Sequence, residues 1–293
     1  HASAHRHRHL RSQRLQAGIM EQRNIAFIGG GNMARSLVSG LINAGFPATR
    51  IRVTDLDQDK LDALHQEFGV QTFLDNVAAA EGADVLVLAV KPQYMADALT
   101  ELTGRIGSYA ERLIISIAAG ISVTRLSTLL GGHRRIVRCM PNTPALIGLG
   151  MTGLFADASV PVADCRFAET MLQSVGKTVW VGEESGINSV IAASGSAPAY
   201  FFLFMEAMAA EAQHMGFSAE QARLLVQQTA LGAAQMVVDN PQLELATLRA
   251  QVTSKGGTTA EAIRTFEEQG LDQLVSNAMR AAVQRAEEME TLF

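Results

Sequence analysis

The sequence predicts an α/β domain with a doubly wound, mostly parallel sheet, followed by an all-α domain. Three observations support this prediction. Short apolar runs typical of strands alternate with helical patterns up to Gly182, a glycine-rich turn joins the first strand to the first helix, and strand patterns stop after Gly182. Strands that alternate with helices favour a parallel sheet covered by helices on both faces. We therefore expect the α/β domain over residues 21–182 and the helical domain over residues 183–293.

The first domain begins with the strand-like run Arg23 to Ile28, which ends in three glycines. An amphipathic helix is predicted from Met33 to about Ala44, and a second helix from Asp57 to Phe68. Further strands are predicted at residues 51–54, near residue 70, and at residues 83–90, 113–117, 136–139, 153–156 and 178–181.

The second domain reads as a series of helices. They are predicted at residues 187–216, 218–239, 244–252, 258–269 and 271–290. Ser218 and Gln221 have the spacing of a capping box, and Gly216 is placed to end the preceding helix. The apolar run Phe201 to Phe204, with several methionines nearby, is expected to lie in a core or a dimer interface. So much apolar surface on a domain of this size favours an obligate dimer.

Residues 1–20 differ from the rest of the chain. They contain four histidines, four arginines and no acidic residue. The alternation of histidine and arginine is typical of an expression tag or upstream translation, and an arginine-rich leader without acids also fits a targeting peptide. We expect this segment to be a disordered tag or leader and exclude it from the fold.

The balance of charges argues against nucleic acid and against an anionic membrane as partners. The net charge is −5, and it becomes −9 without the four arginines of residues 1–20. Two cysteines cannot form a disulfide framework, so a reducing cytoplasm is the expected location. The apolar run Ala197 to Ala210 is interrupted by Pro198 and Glu206, and we interpret it as a buried helix and not as a membrane span.

The turn after the first strand reads I-G-G-G-N-M-A, which places Gly29, Gly31 and Ala34 in the spacing G-x-G-x-x-A. In Rossmann-type domains the first glycine allows a sharp turn, the second leaves room for a pyrophosphate, and the small third residue lets the helix pack on the strand. The N–H groups at the start of the helix attract the anion. An ordinary glycine-rich turn is the alternative, but the strand and the helix on either side favour a dinucleotide site.

Asp55 ends the second predicted strand, 24 residues after Gly31. An acidic residue at this place accepts hydrogen bonds from the adenosine ribose and repels a 2′-phosphate, which favours NADH over NADPH. Two alternatives stay open. In the first, Asp55 is only a solvated charge at a strand end. In the second, the nearby Arg50, Arg52 or Lys60 binds the 2′-phosphate of NADPH.

Two further segments follow predicted strands, at the edge where ligands of such sheets bind. They are Ala89 to Pro92 and Ile117 to Gly120. Small residues at these places let a ribose and a nicotinamide lie against the backbone. Lys91 is either a surface charge or a residue with a cofactor role, and its position beside Pro92 favours the second interpretation.

The stretch T-S-K-G-G-T-T, residues 253–259, precedes an apolar helical pattern. Gly256 and Gly257 allow backbone N–H groups to be exposed at the helix N-terminus, which attracts an anion such as a carboxylate. The alternative is a plain capping turn, with Thr258 as N-cap and Glu261 three residues later. Taken alone, the stretch favours the capping turn.

Five motifs occur in one order along the chain. They are I-G-G-G-N-M from Ile28, A-V-K-P from Ala89, R-C-M-P-N-T-P from Arg138, S-G-S-A-P-A-Y-F-F from Ser194 and T-S-K-G-G-T-T from Thr253. Together they resemble the pyrroline-5-carboxylate reductase family, from about residue 23 to residue 290. The resemblance implies reduction of the cyclic imine 1-pyrroline-5-carboxylate to L-proline with NADPH or NADH, the last step of proline biosynthesis. It also implies a homodimer with intertwined helical domains, in a family where rings of dimers, often decamers, are common.

The resemblance further implies which residues form the site. In the family the active site lies where the cofactor domain of one subunit meets the helical domain of its partner. Carried over by motif, the cofactor contacts are Gly29, Gly30, Gly31, Asn32, Met33, Asp55, Asn76, Ala89, Val90, Lys91, Pro92, Ile117, Ala118 and Ala119. The substrate contacts are Ser254, Gly256, Gly257, Thr258 and Thr259, with Glu184 as a secondary candidate. Thr259 matches the family threonine that hydrogen-bonds the ring nitrogen of the substrate, and it is the catalytic candidate.

Two positions depart from the family pattern. Ala197 stands where the family commonly has the second glycine of S-G-S-G-P, and Lys255 stands where a proline is frequent. We expect slight repacking at Ala197. At Lys255 we expect a less rigid loop with an added positive charge, which affects substrate affinity more than the reaction.

The sequence contains no clear Ser/His/Asp arrangement and no metal-ligand cluster. Hydride transfer to a protonated imine requires mainly positioning, and the cofactor supplies the hydride. His65, His133 and His214 are therefore expected to be structural or surface residues.

Two other functions stay open. Enzymes like the β-hydroxyacid dehydrogenases also combine a Rossmann domain with helices, but they usually rely on a helical lysine. Lys255 is the only lysine after residue 182, and it lies in a predicted loop. A non-catalytic nucleotide-binding regulatory protein keeps the glycine-rich fingerprint but has no need of an anion site at Gly256 to Thr259.

Overall fold

The computed structural model describes residues 23–106 and 112–293. The tag or leader expected at residues 1–20 lies outside the described residues. The chain forms two compact units. The first, which we name the sheet unit, runs up to Ser196 and also includes the last segment, Ala282–Phe293. The second, the helical unit, consists of Ala197–Ala281.

The sheet unit contains one sheet of eight strands. The strands are β1 Ile25–Ile28, β2 Ile51–Thr54, β3 Gln71–Phe73, β4 Val85–Leu88, β5 Leu113–Ser116, β6 Ile136–Met140, β7 Gly150–Ala156 and β8 Gly176–Trp180. Their order across the sheet is β3-β2-β1-β4-β5-β6-β7-β8. All neighbouring strands are parallel except β6 and β7, which are antiparallel. The chain thus winds outward from β1 in both directions, and the prediction of a doubly wound, mostly parallel sheet is confirmed.

Helices cover both faces of this sheet. They are α1 Asn32–Asn43, α2 Gln58–Phe68, α3 Asn76–Ala80, α4 Pro92–Ile106, α5 Val123–Leu129, α6 Val162–Gln173 and α7 Ser185–Val190. Successive side chains of a strand point to opposite faces. Ile25 and Phe27 of β1 therefore belong to one apolar core, and Ala26 and Ile28 belong to the other. This explains why the strand is a continuous apolar run.

The helical unit contains helices where they were predicted, with one difference. The helix predicted at residues 187–216 is divided into α7, the π-helix Ile191–Gly195 and the helix Ala197–His214, and only the last of these belongs to this unit. The helices of the unit are α8 Ala197–His214, α9 Ala219–Asp239, α10 Leu245–Gln251, α11 Thr258–Glu268 and α12 Leu271–Glu290, whose final residues belong to the sheet unit. The capping box at the start of α9 is present. Ser218 Oγ accepts from the Gln221 N–H and Gln221 Oε1 accepts from the Ser218 N–H, each at 3.1 Å. Gly216 ends the preceding helix with a φ of +111°.

The apolar side chains of α8 are exposed on the single chain. Phe201, Phe202 and Leu203 are 65%, 65% and 66% exposed. The interpretation of Ala197 to Ala210 as a buried helix is therefore wrong for the single chain, because the apolar side chains face outward and the helix is not a core element of its own unit. The stretch Ser185–His214 is long and apolar enough to span a membrane by length and composition alone, a test that helices of soluble proteins also pass.

Gly176 provides a test of the contact between β7 and β8. Its φ is +155°, and a Cβ on it would collide with the backbone of Gly150. We expect Gly176→Ala to lower the free energy of unfolding by about 2–4 kcal/mol. Gly104, within α4, has no atom within 4 Å of an added Cβ, so Gly104→Ala should raise it by up to about 1 kcal/mol. Urea unfolding at one fixed protein concentration measures both, and equal stability of the two variants would contradict this account.

Candidate active site

Gly29 brings the end of β1 close to the end of β4. Its φ is +109°, in a region that residues with a Cβ rarely adopt. Its N–H donates to the Thr54 carbonyl oxygen at 3.1 Å and to Thr54 Oγ1 at 3.3 Å. A Cβ on Gly29 would lie 2.7 Å from the carbonyl oxygen of Ala89. Glycine is therefore required here by the fold itself.

Gly31 differs from Gly29, because the fold itself does not require glycine at this position. It is the N-cap of α1, with φ −72° and ψ −172°, and no side chain caps the helix. An added Cβ would meet no atom within 4 Å, so the packing of the chain leaves open space at this position. The open space lies at the start of a helix, beside the N–H groups of Asn32 and Met33, where a pyrophosphate group binds in this fold. The residues present thus fit a dinucleotide.

The carboxylate of Asp55 is held beside the glycine turn. Oδ2 accepts from the Gly30 N–H at 3.0 Å, and Oδ1 accepts from the Asp57 N–H at 2.9 Å. A Cβ on Gly30 would lie only 3.3 Å from Asp55 Oδ2, which shows why glycine suits this position. A negative charge is therefore fixed at the end of β2, the place of the adenosine ribose in Rossmann domains.

The basic residues considered as phosphate ligands are engaged elsewhere or exposed. Arg52 Nη1 donates to the Ala79 carbonyl oxygen at 3.1 Å and also to that of Glu81. Arg50 Nη1 donates to Asn24 Oδ1 at 3.5 Å. Lys60 is exposed on α2. The charge held closest to the glycine turn is thus the carboxylate of Asp55.

Thr54, for which the sequence predicted no role, connects two residues that were predicted to contact the cofactor. Its Oγ1 accepts from the Gly29 N–H at 3.3 Å and donates to Asn76 Oδ1 at 2.8 Å. This arrangement leaves the Nδ2 of Asn76 as a donor. The signal that could have identified Thr54 is a polar residue at the last position of a buried strand, where it is 1% exposed.

The segments after β4 and β5 lie at the same edge of the sheet as the glycine turn. The Ala89 N–H donates to the Ile28 carbonyl oxygen at 2.9 Å, and the Ile117 N–H donates to that of Leu88 at 3.2 Å. Pro92 is the first residue of α4, and Lys91 before it is exposed. The structure therefore brings together, at the carboxyl ends of β1, β2, β4 and β5, the residues predicted to contact the cofactor.

Glu184, the secondary substrate candidate, is bonded within the sheet unit. Its Oε2 accepts from the Val123 N–H at 2.8 Å and from Arg138 Nη1 at 3.1 Å. Arg138 is only 1% exposed, and no role of its own was predicted for it from the sequence. The signal was available, since an arginine interrupts the apolar strand I-V-R-C-M. One oxygen of Glu184 thus already has two partners in the chain.

The stretch 253–259 belongs to the helical unit. Gly257, and not Thr258, is the N-cap of α11, and no side chain caps this helix. Gly256 has a φ of +74°, and a Cβ on Gly257 would lie 3.1 Å from the carbonyl oxygen of Ser254. The capping turn with Thr258 as N-cap is therefore wrong. Thr258 and Thr259 are exposed at the start of α11, where uncapped N–H groups suit an anion.

His65 and His133 bond to backbone carbonyl oxygens, and the thiol of Cys139 is buried. His65 Nδ1 lies 3.0 Å from the Val70 carbonyl oxygen, and His133 Nε2 lies 2.8 Å from that of Arg112. Burial lowers the pKa of His133 and raises the pKa of the Cys139 thiol, so neither group is charged at neutral pH. Within residues 23–106 and 112–293, no group of three His, Cys, Asp or Glu side chains could hold a metal ion.

The fold and the glycine turn define a protein with a dinucleotide-binding Rossmann domain, and its relatives make it an oxidoreductase that uses NADPH or NADH. A family model described as pyrroline-5-carboxylate reductase dimerisation matches residues 184–289, and one described as NADP oxidoreductase coenzyme F420-dependent matches residues 24–120. A pyrroline-5-carboxylate reductase of Vibrio alginolyticus is 58% identical over 94% of this chain and 100% of its own length. A pyrroline-5-carboxylate reductase of Haemophilus influenzae is 49% identical, also over 94% of this chain and 100% of its own length. The chain belongs to the pyrroline-5-carboxylate reductase family.

Solved structures agree with this assignment. A pyrroline-5-carboxylate reductase from Coxiella burnetii is 44% identical, with a TM-score of 0.86 over 91% of this chain and 98% of its own. A Plasmodium falciparum pyrroline carboxylate reductase with NADP bound is 26% identical, with a TM-score of 0.79 over 92% of this chain and 99% of its own. The family resemblance stated from the five motifs is thereby confirmed.

The two outer glycines of the fingerprint should respond differently to the same substitution. Gly31→Ala places a methyl group in the open space at the start of α1, and we expect it to weaken NADH and NADPH binding by about tenfold or more, with unfolding unchanged. Gly29→Ala forces a Cβ against the Ala89 carbonyl group and should lower stability itself. Fluorescence titration and urea unfolding measure the two effects. Unchanged dinucleotide affinity of Gly31→Ala would contradict the assignment of this turn.

Proposed function

We propose that this protein reduces 1-pyrroline-5-carboxylate to L-proline with NADPH or NADH, the last step of proline biosynthesis. The observation that carries the substrate assignment is the start of α11. There, Gly256, Gly257, Thr258 and Thr259 form a helix N-terminus without a side-chain cap, in a family whose members are named for a cyclic imine that carries a carboxylate. Such a terminus provides N–H donors and a partial positive charge for a carboxylate.

The roles of the residues at this terminus follow from their positions. The N–H groups at the start of α11 hold the substrate carboxylate, and Ser254 fixes the turn because its carbonyl oxygen accepts from the Gly257 N–H at 3.0 Å. Thr259 is the second residue of α11 and is exposed, so its hydroxyl group is available to hydrogen-bond the ring nitrogen. Lys255, exposed in the same turn, adds a positive charge near the carboxylate.

The chemistry asks little more of the chain than orientation. The bound dinucleotide supplies the hydride. Holding two reactants in the right geometry removes ~7–11 kcal/mol of barrier in favourable cases. The glycine turn with Asp55 and Asn76 fixes one reactant, and Gly256 to Thr259 fix the other. A protonated imine is already electrophilic, so no further acid, base or metal is needed.

The family assignment also bears on assembly. The helical unit matches a dimerisation family, and its exposed apolar side chains, such as Phe201, Phe202 and Leu203, need a cover. We propose a cytoplasmic homodimer with intertwined helical domains and active sites completed by the partner subunit, and further assembly of dimers into a decamer. The β-hydroxyacid dehydrogenase alternative is not favoured, since Lys255 lies before α11 and not within a helix. The regulatory alternative is not favoured, since it has no need of an anion site at Gly256 to Thr259.

Thr259→Ala tests the substrate site. We expect kcat/KM for the cyclic imine to fall by about ten- to a hundredfold, the loss of a hydrogen bond to a charged group, with the Kd for NADH unchanged. Thr265→Ala is the matched control, because the Thr265 hydroxyl donates to the Glu261 carbonyl oxygen on the same helix at 2.9 Å. Steady-state oxidation of NADH measures both variants and also tests turnover by the unaltered protein. Unchanged kinetics of Thr259→Ala would remove Thr259 from the site.

Asp55 provides a test of cofactor preference. Its fixed carboxylate favours a ribose with a free 2′-hydroxyl group, so we propose a preference for NADH. Asp55→Ser should raise the ratio of kcat/KM with NADPH to that with NADH by about tenfold, because the repelling charge is removed. Asp59→Asn, an exposed change in the first turn of α2, serves as control and should leave the ratio as it is. A ratio that stays constant in Asp55→Ser would assign the preference to other residues.

A further inference from the structure

Arg138 occupies an expensive position in the middle of β6. It is 1% exposed, between Val137 and Cys139, which are buried as well. Its Nη1 donates to Glu184 Oε2 at 3.1 Å and to Glu290 Oε1 at 3.3 Å, while its buried Nη2 makes no hydrogen bond within the described structure. A buried ion pair is poor evidence for stability, since well-packed apolar residues often replace it without loss. The placement of Arg138 therefore calls for another explanation.

The first arm of this arrangement reaches the segment Ile117–Val123, which we name the β5–α5 loop. Glu184 Oε2, held by Arg138, also accepts from the Val123 N–H at 2.8 Å, at the first residue of α5. The other end of the loop leaves β5 at Ser116, which pairs with Arg138 in the register of β5 and β6. The loop starts with Ile117 to Ala119, the residues proposed to lie against the nicotinamide.

The second arm reaches the same loop from the C-terminal segment. Glu290 is the last residue of α12. Its neighbour Met289 covers Gly120 of the loop, since a Cβ built on Gly120 would lie 3.4 Å from Met289 Cε and 3.5 Å from Met289 Cβ. The segment is also held by Arg125, whose Nε donates to the Phe293 carbonyl oxygen at 2.7 Å. One guanidinium nitrogen thus joins the two elements that hold the β5–α5 loop.

We infer that Arg138 is a positioning residue for the reaction: by sharing Nη1 between Glu184 and Glu290, it fixes the β5–α5 loop on which the nicotinamide lies. This inference rests on the proposed function. Arg138 itself contacts neither reactant. A guanidinium group donates in a fixed planar geometry, which a lysine ammonium group cannot reproduce.

Two variants and one control test this role. Arg138→Lys keeps the charge and loses the planar donor group. Glu290→Gln weakens one arm at a side chain that is 27% exposed, so the fold should tolerate it. Glu288→Gln removes a charge two residues away that pairs with Arg285 at 3.1 Å on the same helix, and it is the control.

In the free protein, both variants should speed hydrogen exchange of amides in the β5–α5 loop by about tenfold, as expected for local opening. With cofactor, they should slow single-turnover hydride transfer by about ten- to a hundredfold, because small displacements of a reacting group are costly. The Kd for NADH should change by less than about threefold. The fluorescence emission of the bound reduced nicotinamide should change in Arg138→Lys and in Glu290→Gln, and it should stay unchanged in Glu288→Gln.

The outcomes separate this inference from the proposed function. Absence of cyclic imine turnover by the unaltered protein would defeat the proposed function, while hydrogen exchange and nicotinamide emission would still decide the role of Arg138. A merely structural role predicts a lower Tm and fewer active sites, with an unchanged hydride-transfer rate per active site. That result, or unchanged exchange of the loop in both variants, would overturn the inference.

Discussion

The close approach of β1 and β4 at Gly29 is the constraint on which the nucleotide half of the protein depends. Since the backbone turns there with a φ of +109° against the carbonyl group of Ala89, α1 begins at the carboxyl edge of the sheet. Thr54 and Asp55 at the end of β2 then bond the same turn through the N–H groups of Gly29 and Gly30. The Ala89 N–H bonds to Ile28 and the Ile117 N–H bonds to Leu88, so hydrogen bonds between neighbours connect the carboxyl ends of β2, β1, β4 and β5.

Much of this arrangement could be predicted because it follows from local chemistry. The strand before the G-x-G-x-x-A turn and the helix after it both support the assignment of the turn. The position of Asp55 follows from the length of the second strand. The network around Arg138 was not predicted, because Glu184, Val123 and Glu290 lie far apart in sequence and only tertiary packing brings their groups together. One of the two interpretations of residues 253–259 placed the N-cap of α11 at Thr258, but the backbone places it at Gly257, where an added Cβ would lie 3.1 Å from the carbonyl oxygen of Ser254.

The exposure of α8 was misjudged for a related reason. Its apolar composition predicts that the helix is buried, but composition does not show whether its own chain or a partner subunit buries it. A helix that lacks a polar face is buried against other protein segments or in a membrane. On the single chain Phe201 and Phe202 are exposed, and a family of dimerisation domains matches this region. A sequence pattern therefore predicts that a helix is buried, but only the association of subunits determines which surface buries it.

The sheet unit is assembled from two separate stretches of the chain. Ala282–Phe293 belongs to it, although the whole helical unit lies between this segment and Ser196. The hydrogen bond between Arg125 and Phe293 spans 168 residues. Contacts between such distant positions form late, because a long loop must close before they contribute. On the ribosome, the nucleotide half would therefore wait for residues 282–293 to emerge before its own structure was complete, and a chain without these residues would leave Gly120 and Arg138 without their covering segment.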